Sequence, residues 1–197
     1  MATAETRLLT PPLAATDVKG LRAGDRVRFS GVLLTARDAA HQRLVARIDA
    51  GQPLPIDLHG QVLYYVGPTP PRPGMVIGAA GPTTGGRMDA YASKLMALGL
   101  KGMIGKGSRS RAVREAMRQH TCVYFGAVGG AGALLSKHIR SAEVVAYADL
   151  GTEAVRRLIV EDFPGIVIND VYGNDLYEDG RSKYARPEES KRSSEGL

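Results

Sequence analysis

The chain has 197 residues, of which 44% are hydrophobic and 23% charged. Those figures point to one globular domain with a sizeable core and exclude a disordered chain. Lys and Arg number 26 against 20 Asp and Glu, and the net charge of +6 favours an anionic partner without naming one.

The opening stretch, MATAETRLLTPPLAATD, lacks the basic region followed by an apolar run that marks a secretory peptide. Two β-rich runs follow, Arg26–Arg37 and Gln61–Gly67, rich in Val, Tyr and Phe and bounded by Gly and Pro. Between them Asp38–Arg47 is expected to be helical, with Asp38 suited to the N-cap. GPTPPRPG (Gly67–Gly74) is a stiff connector, because each proline fixes φ. Short apolar strands are then predicted at Met75–Gly81, Gly102–Gly107, Cys122–Gly130, Val144–Leu150 and Gly165–Asp170. Helices are predicted at Met88–Leu98, Ser108–Gln119, Ala131–Ile139 and Thr152–Ile159.

Apolar strands alternating with helices imply an α/β domain, and the β-rich first third implies a mixed, partly parallel sheet. Residues 1–180 are assigned to one domain. Residues 181–197, charged and nearly free of aliphatics, are assigned to a flexible tail. Thr121–Ser136 is an uncharged stretch but falls short of the ~20 residues of a spanning helix and is broken by glycines. Neither a membrane nor a nucleic-acid role is therefore expected, and the cytoplasm is the expected compartment. Lys101 to Arg118 carries six cations and one acid, which a solvated helix face explains without a nucleic acid.

The most informative string is GPTTGGRMD (Gly81–Asp89), which follows an apolar run and opens a helix. Its glycines leave backbone N–H groups uncovered, and Thr83, Thr84 and Arg87 share the same turn. Such a loop suits a carboxylate or phosphate, and equally a plain turn with a helix cap at Thr84. TARDAAH (Thr35–His41) puts Arg37 at a strand end, either as a second anion clamp or as a surface arginine. His41 is open between base, ligand and structural group. GMIGKGSRS (Gly102–Ser110) exposes Lys106 between two glycines without the spacing of a Walker loop. YFGAVGGAGALL has no dinucleotide fingerprint, and its glycines are read as close helix–strand packing. Asn169, Asp170, Asn174 and Asp175 are read as turn formers around Gly173 rather than oxygen ligands. Three cations at strand ends make a pocket for a small dianion. Ser–His–Asp and metal-ligand spacings are not visible, so the chain reads as half of a site.

These strings resemble the β subunit, or C-terminal domain, of the class I iron–sulfur fumarate hydratases and related dehydratases. PIDLHGQVLYYVGP, DLGTEAVRRL and YGNDLY are similar to the same family, and the resemblance runs roughly from Leu13 to Tyr177. It implies a swivelling β/β/α domain and a hydro-lyase interconverting fumarate and (S)-malate. It also implies Thr83 as the catalytic base, and Arg37, Arg87 and Lys106 as the cations that bind the substrate carboxylates. The 4Fe–4S cluster it implies would belong to a fumarate hydratase α subunit in an α2β2 hetero-oligomer. The lone Cys122 agrees, since one thiol cannot supply a cluster's ligand set. Gly85 departs from a residue often serine in this loop. Gly86, Asp89 and TARDAAH resemble the fumarate enzymes more than the L(+)-tartrate dehydratases, which stay as the alternative. A non-catalytic anion-binding module is the alternative from another class.

Overall fold

The computed structural model describes residues 6–185. Seven strands form one mixed sheet: β1 (Arg7–Leu9), β2 (Arg26–Thr35), β3 (Val62–Tyr64), β4 (Gly102–Gly105), β5 (Val123–Gly126), β6 (Ile139–Ala146) and β7 (Val155–Asn169). Strands β1 to β5 pair in sequence order and all in parallel. The long β7 runs antiparallel to β5, β6 and β2. The pairings β2–β3–β4–β5–β7–β2 therefore run round in a closed circuit, which leaves those strands few unpaired edges. The expected α/β class with a mixed, partly parallel sheet is what the chain adopts.

Period-two alternation divides the strand residues between two cores. Val27, Phe29, Val62, Tyr64, Ile104, Val123 and Phe125 pack on one face with Leu13, Val18 and Leu21. Leu34, Leu63, Tyr65, Met103 and Tyr124 pack on the other against α2 (Asp38–Asp49), α3 (Asp89–Ala97) and α4 (Arg111–His120). Both faces are covered, so the strands read as unbroken apolar runs. Helix α4 shows why a helix forms where it does. Ser110 Oγ accepts the Val113 N–H (3.3 Å), Val113, Ala116 and Met117 face inward, and Thr121 ends the helix in the left-handed region.

Several expectations fail for identifiable reasons. Thr152–Ile159 is not a helix: Val155 onward is β7, sandwiched between β2 and β6. A helix-compatible local pattern yields there to ladder hydrogen bonds on both edges. Met75–Gly81 is not a strand. The segment doubles back on the proline connector, with Thr69 N–H bonded to Ala79 O (3.1 Å) and Ala79 N–H to Thr69 Oγ1 (2.8 Å). Strand β6 begins at Ile139, inside the expected helix, which shrinks to α5 (Gly132–Leu135) and a 3-10 turn, Ser136–His138. Strand β1 and helix α1 (Ala15–Lys19) had no sequence expectation.

The tail boundary also moves. Helix α6 (Leu176–Tyr184) crosses residue 180, capped by Asp175, whose carboxylate accepts the Tyr177 and Glu178 N–H groups. Arg181–Tyr184 thus continue a folded helix, while residues 186–197 of the expected tail lie outside the described residues. No helix among the described residues is long and apolar enough to cross a membrane.

Candidate functional site

The loop Gly81–Met88 leaves the sheet region beside Val66, which forms an isolated bridge with Pro82. From there the loop is stitched into the ends of β3 and β4. Thr83 N–H donates to Tyr65 O (2.7 Å), Lys106 N–H donates to Thr83 O (3.1 Å), and Gly85 N–H donates to Lys106 O (2.7 Å). These bonds pair Thr84 with Lys106 in a parallel bridge and put Thr83 one step along from it, although more than twenty positions separate them in the chain. The turn Gly85–Met88 is a 3-10 helix that runs directly into α3. Thr84 precedes it without a side-chain capping bond, so the expected helix cap at Thr84 does not form.

Gly85 is required by what lies beneath it. A Cβ there would sit 2.6 Å from Tyr124 Oη and 3.1 Å from Arg109 Cδ. The sequence reading placed Arg109 on a solvated basic face, and the structure corrects this. Its side chain is fully buried, with Nε donating to Asp89 Oδ1 (2.7 Å) and the guanidinium 4.9 Å from the Tyr124 ring centre. Arg109 Nη2, Tyr65 Oη and Tyr124 Oη have no hydrogen-bond partner among the described residues. Burial raises both phenol pKa values, and they stay protonated. Arg114 is likewise neutralised, by Asp175 (3.1 Å) and Glu178 (2.9 Å).

Arg37 and Arg87 converge on a residue that the sequence reading assigned to capping. Asp38 is the first residue inside α2, not its cap. Its carboxylate accepts Arg87 Nε at Oδ1 (2.9 Å) and lies 2.8 Å from Arg87 Nη2 at Oδ2. Oδ2 also accepts Arg37 Nε at 3.4 Å. Arg37 Nη2 lies 3.1 Å from Glu153 Oε1, and Glu153 Oε2 accepts the Ala39 N–H (2.7 Å). Arg37 also lies over Gly67, where a Cβ would clash with its Nη1. Gly67 follows Tyr65 by two residues, and Tyr65 O is what holds Thr83. All four predicted residues thus gather at the carboxyl ends of β2, β3 and β4. Parallel α/β sheets commonly bind ligands at this position.

Lys106 is exposed and makes no ion pair among the described residues. Gly129 passes beside it, with its would-be Cβ 3.5 Å from Lys106 Cδ. The glycine run packs closely at Gly132, whose would-be Cβ would stand 2.9 Å from Gly81 N, but the neighbour is the loop Ala80–Gly81 and not the expected strand. Asp170 and Asp175 are turn and cap formers, as expected. His41 is structural: its ring is buried, and Nδ1 lies 3.0 Å from Arg37 O. Desolvation lowers its pKa to about 4, so it is neutral at pH 7.

Glu153 and Gly67 were missed. Gly67 read as connector, and Glu153 fell inside a predicted helix; neither carries a local signal of its contact with Arg37.

The chain's own residues do not fit a cluster. Cys122 is its single cysteine, buried, with the thiol pushed up to about 12 by desolvation. Among the described residues no group of three His, Cys, Asp or Glu could hold a metal ion. A surface groove of about 630 Å³, lined by Val128, Leu134, Arg28 and Ile166 among others, contains none of the four predicted residues.

Comparison with known proteins agrees with the resemblance. The family model described as fumarase C-terminus matches residues 3–180. A class I aerobic fumarate hydratase of Escherichia coli (strain K12) is 40% identical over 155 residues, which cover 78% of this chain and 28% of that protein. A putative class I fumarate hydratase of Geobacillus stearothermophilus is 35% identical over 182 residues, covering 89% of this chain and 34% of that one. A putative L(+)-tartrate dehydratase subunit beta of Methanocaldococcus jannaschii is 34% identical over 177 residues, covering 87% of this chain and 91% of that one. The chain therefore spans about a quarter to a third of the fumarate hydratases it matches, and nearly all of the dehydratase subunit.

Proposed function

The chain belongs to the fumarase C-terminus family, and from that premise we propose that it is the β subunit of a fumarate hydratase, catalysing reversible hydration of fumarate to (S)-malate. The observation that carries the reading is the gathering of Thr83, Arg37, Arg87 and Lys106 at neighbouring strand ends, with the backbone of Lys106 bonded to that of Thr83 and its ammonium unpaired among the described residues. In this reading the guanidiniums bind the substrate carboxylates through paired N–H donors. Lys106, whose N–H bonds the Thr83 carbonyl, stabilises the charge that grows on a carboxylate when the carbon beside it loses a proton. Thr83 takes that proton. An alcohol is a weak base, so the nearby ammonium and the loop amides must favour its alkoxide.

Because this chain's residues do not fit a cluster, the 4Fe–4S chemistry of the reading is assigned to a companion α subunit in an α2β2 assembly in the cytoplasm. Similarity over nearly the whole length of a protein named as a dehydratase subunit beta supports the β-subunit role. The same similarity keeps tartrate as the second substrate to test.

Anaerobic co-expression with the cognate α chain, followed by fumarate absorbance on adding malate, tests the reading. Turnover is expected, falling by orders of magnitude in Thr83→Val and Arg87→Met. An iron-loaded complex inert towards malate and fumarate, but active on tartrate, would transfer the assignment to the tartrate enzymes. Near-normal turnover of Thr83→Val would remove that residue from the chemistry.

A further inference from the structure

Asp38 and Glu153 have no part in the reading above, yet they occupy most of the hydrogen-bonding edges of the two guanidiniums. We propose that Asp38, with Glu153 behind it, is a positioning residue that selects which edge of Arg87 and Arg37 faces the substrate. The proposal rests on the hydro-lyase reading and deepens it.

A guanidinium offers a carboxylate two bidentate edges, Nε with one Nη, or the two Nη together. Asp38 takes the first edge of Arg87, at 2.9 and 2.8 Å. What remains is the outer edge of a side chain that is 51% exposed, and this edge is left for a ligand. Arg37 is more tightly held. Its Nε faces Asp38, its Nη2 faces Glu153, and its Nη1 rests over Gly67. Glu153 also accepts the Ala39 N–H, so the residue that orients Arg37 anchors the first turn of α2, which carries Asp38. Swinging either arginine requires breaking a charge-assisted bond to a carboxylate fixed in the fold.

The charges make this role separable from simple electrostatics. Two guanidiniums and two carboxylates sum to zero, so the pair attracts a dianion by aligned donors and not by net charge. Removing the Asp38 charge makes the site more positive by one unit. Coulomb attraction alone then predicts tighter binding of a dicarboxylate, whereas loss of alignment predicts weaker binding.

The test compares Asp38→Asn, Asp38→Glu and Glu153→Gln in the complete complex. We expect Asp38→Asn to raise KM for malate and fumarate about ten-fold, the effect of one misaligned charge-assisted hydrogen bond, with kcat changed much less. Asp38→Glu, which keeps the carboxylate, recovers part of the loss, and Glu153→Gln shows the same KM-weighted pattern more mildly. An unchanged or lowered KM in Asp38→Asn overturns the proposal. Crystal structures of the full chain give a readout independent of turnover. Arg87 is expected to leave its present orientation in Asp38→Asn, and Arg87 held in place overturns the proposal even if no activity is assayed. A wild-type complex without hydration activity counts against the hydro-lyase reading, whereas an active wild type with an unaffected variant counts only against Asp38.

Discussion

His41 makes folding stability depend on pH in a calculable way. Its ring is fully buried between α2 and the sheet, edge-on to Tyr65 with ring centres 5.2 Å apart. The neighbouring carbonyl of Arg37 can only accept, so the neutral ring carries its proton on Nδ1, and Nε2 has no partner among the described residues. Desolvation dominates the pKa shift from 6.5 to about 4; the Arg37 carbonyl opposes it, Arg109 adds to it, and Asp38 opposes it. Folding therefore favours the neutral ring. The stabilisation is complete above the unfolded value and is lost as pH falls towards the folded one, about 3 kcal/mol in all. Roughly 2 kcal/mol of this should vanish between about pH 7.5 and about pH 5. Urea denaturation of wild type and His41→Gln at those two values isolates the effect, because the remaining titrating groups are common to both. The stability advantage of wild type should shrink by about 2 kcal/mol at the lower pH. Parallel stabilities at both values, or an NMR titration of His41 near its ordinary midpoint, would refute the reasoning.

Three further outcomes follow from contacts around the same loop. Arg109→Met strands Asp89, which also accepts the Ser110 N–H at the start of α4, and should cost about 3–5 kcal/mol in urea denaturation. Gly67→Ala places a methyl where Arg37 Nη1 lies; in the complete complex it should raise KM while leaving the thermal midpoint within a few degrees, because Gly67 does not need a positive φ. Cys122, buried and with its thiol pushed up to about 12, should resist alkylation at neutral pH until urea unfolds the chain. Rapid labelling of the native protein would contradict its placement.

What the sequence determined by itself was whatever is written in local chemistry. Apolar runs at β4 and β5 and the stripe of α4 identify themselves, because burial on both faces of a strand, or one face of a helix, imposes a pattern within a few residues. The four candidate site residues were legible because each stands in a short string with unusual glycines or charge, at Arg37, Thr83, Arg87 and Lys106.

Tertiary structure decided the rest. Val155–Ile159 became strand because β2 and β6 flank it on either side, a competition invisible in the local pattern. Arg109 joined the core because Asp89 and two tyrosines surround it, although its neighbours in sequence are those of a solvated face. Whether Arg37 and Arg87 act as free cations was decided by Asp38 and by Glu153, more than a hundred positions away along the chain. Residue type fixes how much charge a side chain carries. Which edge of that charge reaches solvent is set by partners that only the closed circuit of strands brings within hydrogen-bonding distance.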